Sequence, residues 1–121
     1  MHRADAYAVL GDTPAALEKY RDATAAFRQL VAQGVRDHAN LGKCLEGQAD
    51  LLTQAQSAQA RALLEEALAL FQIAGRSYQE GKIWEALGDL GDGAPAWRMA
   101  LERYENLKLP EAADRVRAKL Q

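Results

Sequence analysis

Helical periodicity runs through this chain almost from end to end, and no stretch alternates apolar and polar residues as a half-buried strand would. The interruptions are the residues that start and stop helices. Thr13-Pro14 follows a Gly11-Asp12 turn and offers a cap with proline at the first helical position. Gly34 and Gly75 each stop a helix, and Ser57 can cap the one that Gly75 ends. Gly91-Asp92-Gly93-Ala94-Pro95 is the strongest turn, and Lys108-Leu109-Pro110 opens the last segment. These signals predict helical segments at about residues 3–10, 14–33, 35–53, 57–74, 76–90, 94–107 and 110–120. Short connections favour antiparallel neighbours. The apolar residues are mostly Ala and Leu, which favour helix over strand.

The segments carry a recurring pattern. Tyr20, Ala23 and Phe27 stand at i, i+3 and i+7, and the same spacing returns as Leu64, Ala67, Phe71 and as Trp97, Ala100, Tyr104. In each triad a large residue precedes a small one, and an aromatic follows a turn later on the same face. The alanine lets a second helix approach while its large neighbours fill the flanking space. One such triad is common in any amphipathic helix of a bundle. Three, each on a helix that follows a turn, favour a stack of helix pairs.

These residues resemble the tetratricopeptide repeat, a unit of about 34 residues with a Trp-Leu-Gly-Tyr…Ala…Phe…Ala pattern. Trp84, Leu87 and Gly88 have the Trp-x-x-Leu-Gly spacing, as do Tyr7, Leu10 and Gly11. Ala16, Tyr20, Ala23 and Ala60, Leu64, Ala67 match the second-helix signature, whereas the third unit has Gly93 before Trp97 and Ala100. The stretch Cys44-Leu45-Glu46-Gly47 departs most, and looks like the longer repeats of bacterial regulators. The resemblance implies an all-α, right-handed α-solenoid of about three antiparallel helix pairs plus a C-terminal capping helix. It forms one domain over residues 1–121, with units at 3–33, 35–74 and 76–107 and the cap at 110–120. It also implies a concave groove, lined by the first helix of each pair, that binds a protein or peptide. The alternative is an oligomerisation or signal-transmitting region of a larger bacterial regulator.

Other chemistries find little support in the residues. A net charge of −2 and a pI near 5.7 argue against nucleic-acid binding, which needs surplus Lys and Arg to displace phosphate counterions. No apolar run approaches the length of a membrane span. The lone Cys44 cannot form an internal disulfide, which makes a reducing cytoplasm the expected setting. His38 and Cys44 share a helix but stand roughly 9 Å apart along its axis, too far for a base to activate a thiol. His2 lies near the N-terminus, where a surface or packing histidine is the expected reading. No metal-ligand spacing and no phosphate loop occurs. An enzyme is not expected, nor any cofactor or metal.

The groove-facing candidates are therefore the polar positions of the first helices. Lys82, Glu85 and Asp89 share one face of the third unit, and Asn40, Lys43 and Asp50 are their expected equivalents in the second. Mixed charge there suits polar or amphipathic ligands, and too few cations recur for a clamp on a carboxylate tail. Arg115, Arg117 and Lys119 give the last helix an expected basic outer face. The short segment 3–10 covers the first long helix poorly, which makes self-association through that end an expectation.

Overall fold

The breaks read from the sequence become helix ends in the computed structural model, which describes residues 13–52 and 56–121. Among the described residues the chain is all-helical. In order come α1 (Thr13–Ala32), α2 (His38–Asp50), α3 (Ser57–Ala74), α4 (Ser77–Leu87), α5 (Ala94–Asn106) and α6 (Pro110–Lys119). A π-helical turn, Gly88–Asp92, follows α4 and is kinked at Gly91, where φ is 134, before Gly93 ends it. The expected segment 3–10, with Tyr7, Leu10 and Gly11 and the self-association assigned to that end, lies outside the described residues. No described helix is long and apolar enough to cross a membrane.

Three helix ends use the same device. Val35 N–H donates to Leu30 C=O at 3.0 Å, Arg76 N–H to Phe71 C=O at 2.9 Å, and Leu109 N–H to Tyr104 C=O at 2.9 Å. Each bond wraps around a left-handed residue: Gly34 at φ 91, Gly75 at φ 69 and Lys108 at φ 58. Lys108 does without glycine, at a cost of about 1 kcal/mol. The first of these turns also corrects the expected start of α2 at residue 35. Asp37 N–H bonds back to Val35 C=O at 2.9 Å, so helix begins only at His38.

Each helix packs on its neighbours in sequence, from α1 on α2 through α5 on α6. One apolar core gathers Leu41, Leu45, Leu64, Ala67, Phe71, Ile83 and Leu87 from α2, α3 and α4. A second joins Ala100 and Tyr104 of α5 to Ala113 and Val116 of α6, and Trp84 packs against both. Each large side chain in these clusters stabilises by about 1.5–3 kcal/mol. The alanines of the triads separate into two cases. Ala67 and Ala100 are fully buried, as a close helix approach requires. Ala23 is only half-buried, and Thr24 takes the inward place. Its hydroxyl donates to Tyr20 C=O at 2.7 Å and accepts from Gln48 Nε2 at 2.6 Å, so a satisfied polar pair joins α1 to α2 there. Cys44 is fully buried and burial pushes its thiol pKa up, as suits a small apolar residue.

Candidate functional site

The helices α2, α4 and α6 meet at a cleft of about 260 Å³ whose walls include Glu46, Asp50, Lys82, Glu85, Asp89 and Arg115. Four-residue spacing puts Glu46 and Asp50 on one face of α2, and Glu85 and Asp89 on one face of α4 and its π-helical extension. The two carboxylate pairs have different surroundings.

Glu85 is held from every side. It is 8% exposed and accepts from Arg115 Nε and Nη2, both at 2.8 Å, from Lys119 Nζ at 2.8 Å and from Tyr104 Oη at 3.0 Å. The Arg115 bonds are the main reason its carboxyl falls to a pKa of about 2; burial opposes them and Lys119 and Tyr104 reinforce them. The Tyr104 hydroxyl moves the other way, well above its ordinary value, through burial and the adjoining carboxylate. Asp89 accepts from Lys119 Nζ at 3.0 and 3.1 Å and from Trp97 Nε1 at 3.0 Å. Trp97 can come that close because position 88 is glycine. A Cβ on Gly88 would lie 2.4 Å from the indole.

The pair on α2 is sparsely served. Lys82 Nζ stands 3.5 Å from Glu46 and 5.7 Å from the centroid of the Tyr78 ring. Burial raises the pKa of Glu46 despite that lysine. Asp50 forms no ion pair or side-chain hydrogen bond among the described residues. It is exposed, yet the helices packed beside it still raise its carboxyl, with Lys82 opposing.

The chain matches no family model, no curated protein and no solved structure.

Four of the residues expected from sequence therefore line one cleft: Asp50, Lys82, Glu85 and Asp89. Lys43 is exposed on α2 and acts on Glu46 only through its charge. Asn40 is not part of the cleft wall; its Nδ2 donates to Asp37 Oδ1 at 3.1 Å at the start of α2. Two expectations are corrected. Glu85, expected at the exposed surface, is buried because three donors converge on it. The basic outer face of the last helix is not free charge: Arg115 stays about half exposed, but it and Lys119 pair with Glu85 of α4. Arg117 alone looks elsewhere, pairing with Asp114 and Glu105 at 2.7 Å each.

Glu46 and Arg115 belong to the cleft wall and were not among its expected members, and Lys119 bonds Glu85 and Asp89 from beside it. A signal for Glu46 exists in the sequence. Gly42-Lys43-x-x-Glu46-x-x-Ala49-Asp50-Leu51 reappears as Gly81-Lys82-x-x-Glu85-x-x-Gly88-Asp89-Leu90. The two stretches also bury matching positions: Gly42 with Gly81, Cys44 with Ile83, Gln48 with Leu87 and Ala49 with Gly88. The pairings of Arg115 and Lys119 span about thirty residues, beyond the reach of helical periodicity. Among the described residues, no group of three His, Cys, Asp or Glu is placed to hold a metal ion.

Proposed function

We propose that the chain is a right-handed solenoid of tetratricopeptide-like helix pairs, and that it binds a segment of a partner protein along a concave face made by α2, α4 and α6. Catalysis forms no part of this reading. The recurrence of the Gly-Lys…Glu…Asp-Leu stretch supports a repeated unit, as do the three alike helix ends. Contacts that skip one helix support a stacked array. Lys82–Glu46 joins α4 to α2 and Arg115–Glu85 joins α6 to α4, while Arg28–Glu66 joins α1 to α3 at 2.6 Å. The observation that carries the binding reading is the cleft itself. Alternate helices converge on it, and it holds charged groups that the chain leaves incompletely paired.

Site-specific photocrosslinking in extract from the native cell tests the reading. A benzophenone side chain at Tyr78, which lies in the cleft wall and is 47% exposed, is expected to trap one protein reproducibly. The same probe at Glu65, exposed on α3, is expected to trap none. A partner captured through Glu65 and not through Tyr78 contradicts the proposal.

A further inference from the structure

We propose that Glu46 and Asp50 form a seat for a lysine ammonium group of the partner, flanked by an apolar side chain of the same segment. The inference rests on the groove reading above and gives the groove a ligand chemistry.

The chain itself displays the occupied form of this seat. At the corresponding pair, Lys119 Nζ lies between Glu85 and Asp89, bonding the first at 2.8 Å and the second at 3.0 and 3.1 Å. The position that corresponds to Lys119 on the preceding helix is Ala86, because Arg115 takes up Glu85 as Lys82 takes up Glu46. The position that corresponds to Trp97, the other donor to Asp89, is Leu64. Both groups that satisfy Asp89 are thus replaced by apolar residues around Asp50. The carboxylate remains where the donors are gone.

Space and charge agree with an external cation. Ala86 borders the cleft and also a second hollow of about 180 Å³, which Asp50 shares with Ala60, Leu64 and Leu90. An ammonium reaching Asp50 can lay its methylenes, or a neighbouring apolar side chain, along that wall. Four carboxylates line the cleft walls, against the cations Lys82, Arg115 and Lys119, and the unmatched charge falls at Asp50. A compact ammonium with three donors suits the place better than a guanidinium, since Lys82 already holds the flanking position that Arg115 fills at the other pair.

The test uses the whole chain with acetyl-Leu-Lys-Leu-amide and its norleucine counterpart, followed by NMR of the Asp50 and Glu46 carboxyl carbons. The lysine peptide is expected to shift both resonances saturably and to bind at least tenfold more tightly than the norleucine peptide. Asp50→Asn is expected to remove that preference without unfolding the chain, since Asp50 holds nothing else in place. Ala86→Lys is expected to block the peptide and raise the thermal midpoint, and to lose the latter gain when combined with Asp50→Asn. Equal binding of the two peptides, binding by neither at about 10 mM, or full binding by Asp50→Asn overturns the proposal. The two readings fail separately. If the Tyr78 probe captures a partner whose affinity is unchanged in Asp50→Asn and Ala86→Lys, the seat is wrong and the groove stands. Capture only through Glu65 rejects both.

Discussion

The carboxylate pair on α2 and the pair on α4 share a sequence frame and end in opposite states. Glu85 and Asp89 are closed by Tyr104, Trp97, Arg115 and Lys119, whereas Glu46 has one ion pair, with Lys82, and Asp50 has none among the described residues. The difference arises in the helices that follow. Phe71 stands where the later unit has Tyr104, Leu64 where it has Trp97, and Ala86 where it has Lys119. Even the small residue beside each aspartate conforms. Gly88 makes room for an indole, while Ala49, facing no such ring, keeps its methyl group. One helix face can therefore fasten the chain or stay open to a ligand, according to what its neighbours supply.

The largest expected effect separates the two glutamates. Glu85→Ala strands the buried Tyr104 hydroxyl and removes the bonds to Arg115 and Lys119, and should cost about 3 kcal/mol in urea unfolding. Glu46→Ala should cost below about 1 kcal/mol, because it removes one long, half-exposed ion pair. Equal losses would erase the contrast. Acid sharpens it. The Glu85 pKa of about 2 lies below the ordinary 4.5, so its stabilisation is complete above that ordinary value and disappears as pH falls toward 2. The stability gap between the native chain and Glu85→Gln should accordingly narrow over that range. Glu46, with its carboxyl raised, has the opposite sign and a different window: its protonation favours the folded chain as pH falls toward the ordinary 4.5, before the Glu85 contribution begins to drop.

Gly88→Ala comes next, at about 2 kcal/mol, since the added methyl displaces the Trp97 ring and breaks its bond to Asp89. Adding Trp97→Leu should recover part of that loss, because the pair then copies Ala49 and Leu64. A double-mutant cycle with no coupling would show that the correspondence has no energetic content. Lys108→Gly should gain about 1 kcal/mol by relieving the left-handed backbone that Gly34 and Gly75 adopt freely. The smallest expected change is Asp50→Asn, within about 0.5 kcal/mol and toward greater stability at neutral pH. A clear destabilisation there would mean that Asp50 fastens the fold.

Much of the fold is legible before any coordinates, because local chemistry decides it. The bounds of α3 agree with the sequence reading at both ends, and Pro95 and Pro110 sit in the first turns of α5 and α6. The start of α2 is misplaced because a turn at Asp37 follows the left-handed Gly34, and helical pattern alone does not register it. The site is read less well. Periodicity identifies the face that carries Lys82, Glu85 and Asp89, but it cannot say which distant groups meet that face. Arg115 and Lys119 look like surface charge on α6 until α6 is packed beside α4. Thr24 replaces Ala23 at the buried position of α1 for a similar reason, since the partner that satisfies its hydroxyl is Gln48 on another helix.

The contrast between the closed and open pairs can be measured in a single experiment. Carboxyl-carbon NMR titration of the intact chain reads the Glu85 and Asp50 protonation midpoints side by side. Glu85 is expected near a pKa of about 2 and Asp50 above the ordinary aspartate value of 3.8. If both titrate at ordinary values, Glu85 is not enclosed and Asp50 is not waiting for a cation.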